Sequence, residues 1–354
     1  PLPPDDLETI AADESPARSS DHAALYAWRC FVSLHWPTQA DGQRDPHTLP
    51  GLSGDNPTVW STWPPAAPTA TADPTDPAVR PRRTLSLDTL AGDLFPDLPT
   101  PFDRLPLIDQ NGRRIAFEYR ISYPTSSPPP PGPAERTLFA SGKAELCAAA
   151  PGSFHLLALW KILPPAEHAA GRFHSAHAFI ATPLPNEPGA APLLTETVVG
   201  LVGLHFTTKT ATGRHRVWAS FEHVDNRPLA GQAPYRAAYN FFDKRRPVAA
   251  EKDPIILALT DSVGATGGIV PPELRPQFVR HTPPDDTLRA LNAAHHAAYR
   301  AINPASVWQY YELVSAGSAP CPPHPHDSPA EPPASPAPED ESTRRGPPAR
   351  RHSS

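Results

Sequence analysis

The run TVVGLVGLHFTTKTATGRHRVWASFEHVDNRP, Thr197 to Pro228, constrains the fold more than any other part of this chain. Val198, Val199, Leu201, Val202, Leu204 and Phe206 make a nearly unbroken apolar stretch rich in β-branched residues, too short for an amphipathic helix. Apolar residues fall on both alternating faces, which predicts a central strand covered on both sides. Ala211, Thr212 and Gly213 supply a turn, with Gly213 free to take positive φ. The return strand, 216–224, has apolar Val217, Ala219 and Phe221 at odd positions, and Trp218, Ser220 and Glu222 at even ones. Gly200 and Gly203 leave nothing to pack, so they predict a bulge or a close neighbour.

Proline limits how much of the chain can join that hairpin. There are 52 in 354 residues, clustered at 127–133 and from Pro320 onward, so the ordered core is smaller than the length implies. Seven Trp, eight Tyr and thirteen Phe still suffice for a core. A formal net charge of −6 gives no reason to expect nucleic acid as a partner. No run of about 18 apolar residues exists, so no transmembrane segment is expected. The chain opens on Pro rather than Met, which predicts processing or truncation, with a removed signal peptide one route to it. Cys30, Cys147 and Cys321 allow one disulfide at most, leaving the pairing of Cys30 with Cys147 open.

Taken in order, the chain predicts a β-rich body with a helix near each end. SDHAALYAWRCFVSLHWP reads as a helix capped by Ser20 or Asp21 and stopped before Pro37, with Cys30 a small buried hydrophobe. Trp60 and Trp63 anchor a short extended or helical piece. IAFEYRISY alternates as a strand. Periodicity alone would allow 153–163 to be a helix, but Pro164 and Pro165 stop it early and neighbouring strands favour β there, with 174–182 a further strand. Asp285 or Asp286 caps a second helix with Leu288, Leu291, Ala298 and Ile302 inward and His295 near the seam. SVWQYYELV closes the ordered part. The expected fold is mainly β, an antiparallel β-sandwich with docked N-terminal and C-terminal helices. Its boundaries are a disordered segment over 1–19, one domain over 20–316 with mobile loops at 66–82 and 124–135, and a disordered Pro-rich tail over 317–354.

Chemistry concentrates at FEHVDN. Glu222, His223 and Asp225, with His205 on the partner strand, are imidazole and carboxylate groups that suit a divalent metal such as zinc, manganese or non-haem iron. Neighbours on a strand point to opposite faces, so Glu222 and His223 cannot chelate together. Hairpin register decides the rest: an even pairing sum puts His205 with His223, an odd sum with Glu222. The competing reading makes the block a strand end followed by an Asx turn at Asp225-Asn226. His174 and His177 are an odd number apart and share no strand face, yet a loop or a helical turn would let them converge. There is no G-x-S-x-G elbow, and the VGATGG run lacks the Lys-Ser/Thr of a phosphate loop.

Five blocks, WRCFVSLHWP, NPTVWSTW, FHLLALWKIL, LVGLHFTTKT with HRVWASFEHVDNRP, and SVWQYYELV, occur in that order between Trp28 and Val314. Together they resemble a bacterial family described as "cytochrome c family protein". The resemblance implies an exported, β-rich protein, periplasmic or secreted and associated with redox systems, but transfers no catalytic residue. The chain lacks C-x-x-C-H, so covalent haem is not expected. The expectation is a non-catalytic binding or accessory protein whose partner is a small molecule or protein, with no cofactor. The alternative is a metal-dependent enzyme with His205, Glu222, His223 and Asp225 at its site.

Overall fold

The computed structural model describes residues 16–39, 45, 57–63, 83–86, 107–122, 152–182, 192–210, 215–231, 239–246 and 268–320. The loops expected at 66–82 and 124–135, the turn at 211–213, Cys147, Cys321 and the tail beyond 320 lie outside the described residues, as do residues 1–15.

The chain forms a mainly antiparallel β-sheet with a few helices. Helix α1 spans Pro16–Leu34. The strands are β1 (Arg83–Ser86), β2 (Ala116–Ser122), β3 (Phe154–Ile162), β4 (Ser175–Thr182), β5 (Leu193–Lys209), β6 (His215–His223) and β7 (Tyr311–Pro320). Helix α2 (Pro165–Ala169) lies between β3 and β4, and α3 (Asp286–Ile302) precedes β7. Helix α1 opens four residues before the Ser20 cap, inside the segment expected to be disordered, and β7 runs past residue 316.

Strand β5 organises the sheet. Its 17 residues pair with β4 over Leu193–Gly200, with β3 over Val199–Thr208 and with β6 over Gly203–Lys209. Val199 and Gly200 pair with β3 and β4 at once, so those two strands flank β5 on opposite edges, and β4 and β6 share one edge end to end. The links β3–β2, β2–β1 and β1–β4 then lead back to β5, a ring of five strands in which β1–β4 is the parallel pair. Strands β6 and β7 extend the sheet from the far half of β5. All the described strands belong to this one sheet, so the second facing sheet that a sandwich requires is not among the described residues.

One strand serves three neighbours because it is long enough to carry β4 and β6 in succession along one edge and β3 on the other. The pairing of β3 with β5 steps from Leu159↔Gly203 to Trp160↔Leu201, leaving Val202 as an extra residue. Such a bulge kinks a strand and increases its twist. Gly200 answers a close approach: a Cβ there would come within 2.8 Å of the Leu163 side chain. Both sequence signals, bulge and close neighbour, thus have a structural cause.

Phe154, Leu156, Ala158 and Trp160 of β3, Leu204 and Phe206 of β5 and Val217, Ala219 and Phe221 of β6 point to one face and form the main core. Helix α1 lies on it: Phe31 stacks on Phe221 at 4.2 Å, and Trp28 meets Phe221 edge-on at 5.0 Å. Asp285 caps α3 by accepting from the Leu288 amide at 2.8 Å. The buried face of α3 is rotated from the expected stripe, for Asn292 and Tyr299 are buried while Ala298 and Ile302 are exposed. Specific polar contacts decided the rotation. Asn292 accepts from Leu313 N at 3.0 Å, donates to Leu313 O at 3.0 Å and accepts from Trp28 Nε1 at 3.1 Å. A smaller second core on the other face holds Ile115, Leu163, Phe173, Val202 and Phe241.

Candidate functional site

The register puts His205 opposite Ser220, a pairing sum that is odd, so His205 shares a face with Glu222 and not with His223. His205 is half-buried and its Nδ1 lies 2.8 Å from Ser220 Oγ. Glu222 accepts from Arg227 Nη2 at 2.6 Å and from Arg280 Nη2 at 3.1 Å, and Arg280 also reaches Glu312 at 2.9 Å. Burial pushes the Glu222 carboxyl up, yet Arg227 and Arg280 outweigh it and hold it below the ordinary glutamate value. Glu312 ends above that value, because burial outweighs the pull of Arg280 and the neighbouring Glu222 carboxylate adds to it. The Arg280 backbone is itself tied to the segment after FEHVDN, bridging Leu229 and donating to Pro228 O at 2.9 Å.

His223 is fully buried. Its Nε2 donates to Arg172 O at 3.1 Å, and its Nδ1 accepts from the Asp225 amide at 3.1 Å. Those two bonds require one neutral tautomer, with both ring nitrogens occupied. The ring stacks on Phe173 at 4.2 Å and meets Tyr311 edge-on at 5.2 Å. Burial pushes the imidazole down to about 4, against the opposing pull of Asp225. Asp225 takes the Arg172 fork, Nε at 2.8 Å and Nη2 at 3.1 Å, while the guanidinium sits 4.0 Å from the Tyr310 ring centre. Asn226 donates to Val202 O at 2.8 Å and accepts from Asn240 Nδ2 at 2.9 Å. The block therefore clamps segments 171–174 and 239–243 against the end of the hairpin. Replacing His223 with Ala is expected to cost about 1–3 kcal/mol in urea unfolding, because the Asp225 amide and the Arg172 carbonyl lose their buried partner. A change within about 0.5 kcal/mol, the usual range of a surface substitution, would contradict this placement.

Beside the clamp lies a charge cluster that pattern reading missed. Lys161, buried at the end of β3, donates to Glu167 at 2.6 Å and Asn240 Oδ1 at 2.9 Å, with Asp109 3.8 Å away. Asp109 is fully buried and accepts from the Asn111 and Arg113 amides at 3.0 and 2.9 Å. Burial pushes its carboxyl up, and Lys161 pulls the other way. The available signal was a single Lys on an otherwise apolar strand, FHLLALWKIL, since such a cation is buried only with partners.

The remaining histidines are dispersed. His174 is buried between Trp160 and Trp308, at 5.9 and 4.8 Å between ring centres, whereas His177 is exposed on β4. His295 stacks on Trp28 at 4.2 Å and His296 donates to Tyr311 O at 2.7 Å, so the α3 pair serves packing. The four predicted ligands are divided by the sheet, His205 with Glu222 and His223 beside Asp225, and His223 and both carboxylates are engaged internally. As they stand they do not fit a metal as one set, and among the described residues no group of three or more His, Cys, Asp or Glu is placed to hold one. No described helix is long and apolar enough to cross a membrane. Comparison of the chain with protein-family models, with curated proteins and with solved structures finds no match.

Proposed function

We propose that this chain is a non-catalytic binding or accessory protein in which FEHVDN is an architectural clamp. The supporting observation is the fate of its reactive groups: both nitrogens of His223 and the carboxylates of Glu222 and Asp225 are consumed by bonds within the fold. A group so engaged is poorly available as a base, nucleophile or ligand without breaking the structure. In this reading the two long helices are the docked second layer on one face of the sheet, and the other face carries the ligand. Export and an association with redox systems complete the proposal and rest on the five sequence blocks and their resemblance.

A metal-dependent enzyme is the competing reading, favoured by the single observation that His205 and Glu222 share a face. Elemental analysis of the purified protein separates the two. The binding reading expects no stoichiometric metal in the wild type and none after incubation with zinc or manganese and desalting. Stoichiometric metal lost in Glu222→Ala would decide for the enzyme.

A further inference from the structure

The face of β6 turned away from the helices carries Arg216, Trp218, Ser220 and Glu222, all half-exposed. Trp218 stands between Thr207 of β5 and Gly317 of β7. Its indole lies over Gly317: a Cβ at that position would come within 2.5 Å of Cζ2 and 2.7 Å of Cε2. Glycine is therefore what lets the ring lie down on the neighbouring strand. That accounts for one side of the ring and leaves the rest half-exposed, with no other aromatic ring of the described residues stacked on it.

Arg216 lies over the same indole, its guanidinium carbon 5.9 Å from the ring centre. No carboxylate among the described residues pairs with it, and it faces buried Lys209 directly across the strands. Hydroxyls complete the surround: half-exposed Thr207, Ser220 oriented by His205, and exposed Ser315 opposite Ser220.

We propose that Trp218, Arg216 and Thr207 form a binding platform for an acidic saccharide, a pyranose bearing a carboxylate. The apolar C–H face of such a ring lies on the indole, which is flat, rigid and amphipathic. Its carboxylate takes the planar fork of Arg216, a bidentate geometry that lysine could not offer. Its ring hydroxyls exchange hydrogen bonds with Thr207, Ser220 and Ser315, each able to donate and accept. Neither aromatic platform nor guanidinium alone selects this ligand; their adjacency does. The inference rests on the binding-protein reading and names the ligand class for it.

Affinity electrophoresis and calorimetry with three probes test it: oligogalacturonate, monomeric galacturonate and a neutral gluco-oligosaccharide. The wild type is expected to bind oligogalacturonate, more weakly as salt rises. Arg216→Gln should weaken the acidic probe by about tenfold and leave any neutral binding unchanged, while Trp218→Ala should weaken every saccharide by about tenfold or more. Circular dichroism and urea unfolding establish that each variant is folded. Should Trp218→Ala fail to fold, Arg216→Gln, on the half-exposed face, decides the matter. Monomer bound as tightly as oligomer would make the free sugar acid the ligand, and a preference for oligomer a polysaccharide; both support the platform. No binding of either uronate by the wild type, or undiminished binding by Arg216→Gln, overturns it. A metal-free protein inert toward uronates would overturn this platform alone and leave the binding reading standing, whereas cleavage of the uronate chain would overturn both.

Discussion

Lowering the pH from 6.5 to 4 is expected to withdraw several kcal/mol of the protein's stability. His155 and His223 are buried, and burial pushes both imidazoles down from 6.5 to about 4. In that window the unfolded chain binds a proton at each histidine and the folded chain does not. Stability therefore falls as pH falls, and is fully present only above 6.5, where neither state is protonated. Each such group contributes a slope of about 1.4 kcal/mol per pH unit, so the pair gives about 3. His205, pushed down to about 4 by burial, acts in the same sense, with a smaller effect because it is only half-buried. Asp109 and Glu312, whose carboxyls are raised by burial, oppose the trend near its acid end. Across the window the two buried histidines withdraw on the order of 6 kcal/mol, a sizeable share of a domain stability of about 5–15 kcal/mol. Urea unfolding at pH 7, 6, 5 and 4 measures this. A flat profile between 6.5 and 4.5 would show that the imidazoles titrate in the folded protein and are not buried as described.

Truncating Phe206 to Ala is expected to cost about 3–5 kcal/mol. Phe206 is fully buried on β5, opposite Leu156 of β3 and Ala219 of β6. Its ring lies 5.9 Å from Phe154 and 6.2 Å from Phe221, and Phe221 in turn carries Phe31 of α1. Removing it opens a cavity where the central strand, its two neighbours and the layer beneath the helix meet, which a close-packed interior refills only in part. Denaturant unfolding should show a lower midpoint with an unchanged slope. A loss below about 1 kcal/mol would take the hairpin out of the centre of the fold.

Several elements were legible because their causes are local. The β5–β6 hairpin declared itself through β-branched runs and alternation. The N-cap at Asp285 follows from one side chain and the amide three residues on. At Gly200 the missing side chain announced a close contact. The face of α3 was read correctly at Leu288 and Leu291, which pack against the main core. It was misjudged at Ala298 and Ile302, because Asn292 looks polar in sequence yet is buried by satisfying both backbone groups of Leu313. Lys161 escaped notice for the same reason, since its partners Asp109, Glu167 and Asn240 come from three separate segments.

The sequence by itself determined the two long helices and strands β2 to β6, since hydrophobic period and capping act over a few residues, but it carried no signal for β1 or α2. It also confined the reactive groups to a short list, with FEHVDN at its head. It could not determine what those groups do. The faces of His205 and Glu222 depend on a register that one residue's slip reverses. Whether His223 is a ligand or a clamp depends on Arg172, 51 positions earlier in the chain. The ring of strands closes only through the β3–β5 and β1–β4 pairings, and the bulge at Val202 exists only between two strands. Likewise the indole platform required Gly317 beside Trp218, 99 residues apart and joined by strand pairing. Contacts between distant segments carry no periodic signature in one chain, so only the tertiary structure could bring them together.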